Sequence, residues 1–150
     1  MRNAKENKWM PEIPTYIMDS YAMLALFEGE SGADQVQGCL NDAATKKAQV
    51  LMSQINLGEV LYIIERERGF SKAQQALAAI EQLPIELLEV TRERILQAAY
   101  IKANMRLSYA DAFAVAAAAE FSGSILTGDP EFAEIEKEIS VTWLPQKGTF

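Results

Sequence analysis

Short runs of β-favouring apolar residues alternate along this chain with longer segments of helical periodicity, and this alternation restricts the fold more than any other feature. Strands and helices in that order, joined by short connections, are typical of a parallel sheet, because parallel neighbours need a crossover segment between them. We therefore predict an α/β fold, a three-layer sandwich in which a short, mostly parallel sheet is flanked by helices. The predicted strands cover residues 15–18, 50–53, 85–90, 124–127 and 141–144.

The helices predicted between these strands are bounded by residues that favour helix starts and stops. Gly29 ends the first helix and Pro84 stops the fourth, since proline cannot continue a helix. Thr91 supplies an N-cap for the fifth helix. The sixth is rich in alanine, which allows close packing against a sheet. The predicted helices cover residues 20–28, 31–47, 56–68, 71–83, 91–105, 108–121 and 130–138.

The length of 150 residues indicates one domain that is large enough to bury its own core. Residues 1–14 contain Pro11 and Pro14 and show no clear period, so we expect a loose N-terminal leader followed by a single domain over residues 15–150. The sequence shows no secretory signal and no apolar run long enough to cross a bilayer. We therefore expect a cytoplasmic protein that makes no membrane contact.

Composition removes several classes of chemistry. The chain has no histidine and one cysteine, Cys39, which excludes histidine-based catalysis, histidine-ligated zinc and a disulfide framework. Lys and Arg number 14 against 21 Asp and Glu, which gives a net charge of −7 and no basic nucleic-acid footprint. Any chemistry must therefore rest mainly on carboxylates, hydroxyls, Lys and Arg, or the backbone.

Four acidic residues stand where a predicted strand gives way to a helix or where a helix begins. Asp19 and Asp129 directly follow strands, and Glu59 lies in the first turn after the second strand. Asp111 opens a helix that runs antiparallel to the next strand, so its N-terminus lies at the same edge of the sheet. Ligands of α/β proteins bind at this carboxyl edge. Taken singly, each residue is better explained as a helix cap than as a catalytic group, and that alternative stays open.

Carboxylates gathered at one edge would repel each other and raise each other's pKa. A divalent cation relieves that repulsion. Oxygen ligands without histidine or cysteine favour Mg²⁺ or Mn²⁺ over zinc. Magnesium held by a few carboxylates and several waters typically serves phosphate chemistry. The pattern therefore predicts a Mg²⁺ or Mn²⁺ site suited to phosphate chemistry.

The acidic positions and their neighbours resemble the PIN-domain nucleases, and most of all the toxin ribonucleases of the VapC type. The resemblance extends over roughly residues 15–145 and implies the same sandwich of a short parallel sheet and flanking helices. The matching segments, in chain order, are Tyr16-Ile17-Met18-Asp19-Ser20, Asn56-Leu57-Gly58-Glu59-Val60, Ser108-Tyr109-Ala110-Asp111-Ala112 and Leu126-Thr127-Gly128-Asp129.

The resemblance implies Mg²⁺- or Mn²⁺-dependent hydrolysis of single-stranded RNA. Within the implied site we expect Asp19 and Asp129 to bind the ion directly, with the other two acids holding a second ion or orienting water. The catalytic and metal-binding residues would be Asp19, Glu59, Asp111 and Asp129. Three polar neighbours would support them, with capping or local backbone bonding as the alternative role for each: Ser20, Asn56 and Thr127.

The resemblance also implies partners, namely an RNA substrate, a cognate antitoxin protein that covers the acidic groove, and a second copy in a homodimer. Two alternatives to a toxin stay open: an RNA-processing nuclease without an antitoxin, and a catalytically silent PIN-like interaction module. A phosphatase with an aspartyl nucleophile is disfavoured, because Tyr21 stands where that chemistry needs a second aspartate. The net charge predicts weak intrinsic affinity for RNA.

Overall fold

A five-stranded parallel sheet forms the centre of the computed structural model, which describes residues 12–145. The strand order is β3-β2-β1-β4-β5, and every pair of neighbours is parallel, so the predicted mostly parallel sheet is confirmed. The strands are β1 (Thr15–Met18), β2 (Gln49–Ser53), β3 (Glu86–Leu88), β4 (Ser124–Thr127) and β5 (Val141–Trp143).

Helices cover both faces of the sheet, as a parallel topology requires. Within the described residues there are six α-helices and two 3₁₀ segments. The α-helices are α1 (Ser20–Glu28), α2 (Ala33–Ala44), α3 (Gln54–Arg68), α4 (Phe70–Ile80), α5 (Arg92–Asn104) and α6 (Tyr109–Phe121), and the 3₁₀ segments are Pro130–Ala133 and Ile135–Lys137.

Two hydrophobic cores lie on opposite faces of the sheet, which establishes the predicted three-layer sandwich. Successive side chains of a strand point to opposite faces. Ile17 of β1 and Ile125 of β4 pack with α5 and α6, whereas Met18 and Leu126 pack with α1, α2, α3 and α4. The alanines of α6 are buried against the first core, and their small side chains let this helix approach the sheet closely.

Two predicted helices are too long at their ends. The predicted helix over 31–47 begins only at Ala33, after Gly32 with its left-handed φ of 97°, and it ends at Ala44. Lys46, with a φ of 62°, turns the chain away from the helix, so the expected lysine pair lies outside it. The predicted helix over 71–83 is α4, which ends at Ile80. The residues before Pro84 form a turn, because a residue that precedes proline disfavours helical backbone.

The start of α3 also differs from the prediction. The helix begins at Gln54, two residues before the predicted start at 56, because Ser53 is the N-cap and accepts a hydrogen bond from the Ile55 N–H at 3.2 Å. The capping role considered for Asn56 is therefore wrong, and its side chain is free to bond elsewhere.

The predicted helix over 130–138 is wrong in type. It consists of the two 3₁₀ segments, held by short-range bonds such as Phe132 N–H to the Asp129 carbonyl. The edge strands β3 and β5 are shorter than predicted, since each pairs with a single neighbour. They cover Glu86–Leu88 instead of 85–90 and Val141–Trp143 instead of 141–144.

Most of the predicted leader lies outside the described residues. Of residues 1–14, the structure describes 12–14, which are exposed and carry no regular secondary structure. Over the described part of the chain, none of the helices combines the length and apolar character needed to span a membrane.

Candidate functional site

Asp19 lies at the carboxyl end of β1 and is almost completely buried, with 1% of its surface exposed. As the N-cap of α1 it accepts a hydrogen bond from the Ala22 N–H at 2.9 Å through Oδ1. Its other oxygen, Oδ2, accepts a hydrogen bond from the Thr127 hydroxyl at the end of β4. Both partners are neutral, so these bonds leave the charge of the carboxylate without a balancing cation.

The loop after β4 brings two further acids to the same edge. The Asp129 N–H donates to Thr127 Oγ1 at 3.0 Å, so one hydroxyl connects this loop to Asp19. Asp129 then caps the first 3₁₀ segment by accepting from the Glu131 N–H at 2.9 Å. The cap turns the chain so that Glu131 lies beside Asp129.

Asp111 completes a compact group of carboxylates. It lies in the first turn of α6, where its N–H donates to the N-cap Ser108 Oγ at 3.1 Å, and its side chain is buried. One carboxylate oxygen from each of Asp111, Asp129 and Glu131 lies within 4.8 Å of the others. Such spacing suits oxygen ligands that share one cation.

Glu59 lies at the edge of this group. It is half-buried in α3, accepts a hydrogen bond of 3.5 Å from the Tyr62 hydroxyl, and is close enough to Asp19 for its charge to raise that residue's pKa. The structure therefore brings the four predicted acids to one edge of the sheet. It divides them, however: Asp111 and Asp129 belong to the compact group, whereas Asp19 and Glu59 lie beside it.

Ser20 and Asn56 connect the helices that carry these acids. The Ser20 hydroxyl donates to the Asn56 carbonyl at 3.3 Å, which joins α1 to α3. The fully buried Asn56 side chain donates through Nδ2 to the Ala110 carbonyl at 3.2 Å, directly before Asp111. Asn56 Oδ1 has no hydrogen-bond partner among the described residues. An unpaired buried acceptor is costly, and a water or ion at this edge would satisfy it.

Two of the acids have strongly raised pKa values. Burial, together with the charges of Asp129 and Glu59, raises the pKa of Asp19 to about 7, although its bonds from Thr127 and Ala22 oppose the rise. Burial, a hydrogen bond shared with Glu131 and the charges of Asp19 and Asp129 raise the pKa of Asp111 to about 8. The folded chain alone therefore holds too little positive charge at this edge to balance the ionised acids, and a divalent cation bound there would balance it.

Glu131 has no role in the sequence prediction, yet it is one of the three carboxylates of the compact group. The signal that could have found it is the order Asp129-Pro130-Glu131, in which an N-cap and an N1 proline begin a tight turn. The sequence predicts a helix over these residues instead, and that prediction does not place Glu131 beside Asp111.

Comparison with protein families identifies one match. The model of the PIN domain matches residues 16–138, a range that includes Asp19 and Glu131 together with the elements between them. No curated protein sequence matches the chain significantly.

Solved structures with the same fold include VapBC and VapC proteins. VapBC2 from Rickettsia felis, bound to a promoter DNA fragment, superposes with a TM-score of 0.69 at 14% identity over 87% of this chain and 99% of that chain. The sarcin-ricin loop cleaving toxin VapC20 from Mycobacterium tuberculosis gives a TM-score of 0.66 at 18% identity, covering 87% and 99%. VapBC-5 from the same organism, of the VapBC family of toxin-antitoxin systems, gives 0.57 at 17% identity, covering 86% and 96%. At these identities the likeness shows the fold.

Proposed function

The chain belongs to the PIN-domain family, and from this premise we propose that it is a divalent-metal-dependent endoribonuclease that hydrolyses phosphodiester bonds in RNA. The observation that carries the proposal is the compact group of Asp111, Asp129 and Glu131, whose oxygens lie within 4.8 Å of one another beside the buried Asp19. The capping role of Asp19, Asp111 and Asp129 does not compete with this proposal, since each takes part in a helix start and still contributes a carboxylate to the edge.

We assign Asp19, Glu59, Asp111 and Asp129 to the metal and catalytic site, and we add Glu131 as a ligand. The donor set fits Mg²⁺ or Mn²⁺, because it consists of carboxylate oxygens and contains no nitrogen or sulfur. When bound, the ion supplies an activated water and neutralises charge that develops on the phosphate.

The chain's own residues hold this site in place. Thr127 donates to Asp19 and accepts from the Asp129 N–H, so it fixes the ends of β1 and β4 relative to each other. Asn56 holds the first turn of α6 through the Ala110 carbonyl and thereby sets the position of Asp111. Glu59, half-buried at the rim, orients water for in-line attack on the phosphorus.

We further propose that the protein is the toxin of a toxin–antitoxin pair, acts in the cytoplasm, forms a homodimer and is neutralised by a cognate antitoxin. The support is the shared fold with VapC20 and VapBC-5. Large apolar side chains on the surface of α5, including Leu96 and Tyr100, offer area for a second copy. An RNA-processing nuclease without an antitoxin has the same site, and the protein that copurifies with the chain distinguishes the two.

The test is cleavage of a single-stranded oligoribonucleotide by the purified chain in Mg²⁺ or Mn²⁺, with EDTA as the metal-free reference. We expect metal-dependent cleavage that falls about 100-fold or more in Asp111→Asn, because a ligand and its charge are lost. The matched control is Asp42→Asn, an exposed acid of α2 whose charge acts on Tyr16 at the opposite, amino end of β1. Asp42→Asn should cleave like wild type.

Two results would contradict the proposal. If Asp111→Asn cleaved RNA at the wild-type rate, the acidic group would have no part in the reaction. Metal binding without any cleavage of RNA by the wild-type chain would favour the interaction module instead.

A further inference from the structure

Tyr21 lies beside the acidic group but has no part in holding it. It belongs to the first turn of α1, two residues after Asp19. We propose that the ring of Tyr21 is the surface on which a base of the RNA stacks next to the phosphate to be cleaved. This inference deepens the proposed function and rests on it, since it names how that site holds its substrate.

The position of the ring is fixed by Gly128. A Cβ placed on Gly128 would lie 2.4 Å from Tyr21 Cε1 and 2.7 Å from Cζ, so the ring lies directly against the glycine backbone. Gly128 stands between Thr127, which bonds Asp19, and Asp129, which belongs to the compact group. The aromatic ring therefore adjoins the loop that carries the proposed metal ligand, and the glycine makes this approach possible.

The ring is also available to a ligand. Tyr21 is half-buried, and its hydroxyl has no hydrogen-bond partner among the described residues. Neighbouring residues of the same helix, such as Ala22 and Met23, are fully buried in the core, whereas Tyr21 packs against that core and is only partly buried. The difference in exposure leaves part of an aromatic surface open to solvent at the rim of the site.

The charges around the site explain why an aromatic surface is needed there. The groove next to Glu131 has a volume of about 300 Å³ and contains one cation, Arg106, among the acids Glu131, Glu134 and Glu138. Attraction of phosphates by lysine and arginine, the usual source of nucleic-acid affinity, is therefore weak at this edge. Stacking of bases on aromatic rings needs no charge and tolerates any sequence, so it can supply the missing affinity for a single strand.

Binding without cleavage is the first measurement. All proteins carry Asp111→Asn so that RNA stays intact, and a single-stranded oligoribonucleotide containing 2-aminopurine is titrated in Mg²⁺. We expect Tyr21→Leu to weaken binding about tenfold, equivalent to about 1.4 kcal/mol, and to remove the quenching that a stacked 2-aminopurine shows. Tyr21→Phe keeps the ring and should bind within about twofold of its parent. Tyr16→Leu, which removes a tyrosine that is likewise half-buried but lies at the amino end of β1, is the matched control and should leave RNA binding unchanged.

Cleavage by chains with an intact acidic site is the second measurement. Tyr21→Leu should raise KM about tenfold and change kcat by less than about threefold, because the ring holds RNA and leaves the carboxylates in place. Mn²⁺ affinity, followed by the rise in melting temperature that the ion produces, should match wild type. A purely structural ring would give the opposite pattern, with weaker Mn²⁺ binding, lower kcat and unchanged KM, and that pattern overturns the inference.

The remaining outcomes are also decisive. If wild type cleaves RNA and Tyr21→Leu binds and cleaves it equally well, the proposed stacking on Tyr21 is wrong, whereas the proposed nuclease activity is upheld. If wild type neither binds nor cleaves RNA in the presence of Mn²⁺, the proposed function fails and the inference fails with it.

Discussion

At the scale of single residues, the neutral groups around the acids define the site as much as the acids do. Thr127 is fully buried, and its one hydroxyl is both a donor to Asp19 and an acceptor for the Asp129 N–H. A hydroxyl can serve both because it carries one proton and two lone pairs. A side chain that is shaped like threonine but lacks the oxygen would remove one hydrogen bond from the buried Asp19 and one from the part-buried Asp129 N–H.

Replacing this threonine therefore gives a residue-scale prediction. We expect Thr127→Val to lower the free energy of unfolding by about 1–3 kcal/mol and to weaken Mn²⁺ binding, because Asp19 and the Asp129 N–H each lose a bond. Thr127→Ser keeps the oxygen and is the matched control, with a loss of about 1 kcal/mol or less from the missing methyl group. Urea denaturation and metal titration measure both effects. Equal stability of the Val and Ser variants would show that the hydroxyl contributes nothing.

At the scale of elements, the approach of α6 to the sheet sets the depth of Asp111. The helix contacts α3, α5 and three central strands, β1, β2 and β4, and five of its buried residues are alanines. Small side chains bring the helix close enough for its first turn to lie over the ends of the strands. A bulkier side chain in this surface would push the helix, and the carboxylate it carries, away from the sheet.

Substitutions at two alanines of α6 test this dependence. Ala114 is completely buried, so Ala114→Leu should cost about 1–3 kcal/mol or more through overpacking and should reduce RNA cleavage by shifting Asp111. Ala119 is exposed on the same helix, and Ala119→Leu should change stability by less than about 0.5 kcal/mol and leave cleavage unchanged. Thermal unfolding and RNA cleavage are measured for both. Full stability and activity in Ala114→Leu would refute the close approach.

At the scale of the whole molecule, the acidic group couples stability to pH and to metal. An aspartate in the unfolded chain titrates near pH 3.9, whereas in the folded, metal-free protein the pKa of Asp19 is about 7 and that of Asp111 about 8. Between these values the folded state holds protons that the unfolded state has lost. The contribution of these two groups to the free energy of unfolding is therefore greatest at acid pH, and it is lost as the pH rises through 7 and 8.

We accordingly expect the melting temperature in EDTA to fall by about 5 °C or more between pH 5.5 and pH 8.5. Saturating Mg²⁺ should reverse the trend, with its largest stabilisation at the alkaline end, because the ion binds the deprotonated acids. The double variant Asp19→Asn, Asp111→Asn should show a flatter profile in EDTA and a smaller response to Mg²⁺. A metal-free melting temperature that rises over this range would contradict the assigned protonation.

Local patterns were enough to predict the class of the fold and the edge where the acids meet. The apolar runs that form β1 and β4, and the cap signal at Thr91, act within a few residues, so the sequence alone reveals them. The carboxyl-edge argument then placed Asp19 and Asp129 together, because topology fixes which ends of parallel strands are neighbours. Helix ends were predicted less well, since a turn such as the one at Lys46 depends on contacts beyond the local sequence.

The alternation of strands and helices, the oxygen-only set of acids and the absence of histidine chemistry all follow from the order of the residues. The grouping of those acids does not, and it is visible only in the folded chain: Glu131 joins Asp111 and Asp129, Asp19 bonds a hydroxyl 108 residues away, and Tyr21 lies against Gly128. Residue types and their periodicity determine local conformation. Distances between side chains far apart in the chain depend on how closely the helices pack and where each turn directs the backbone.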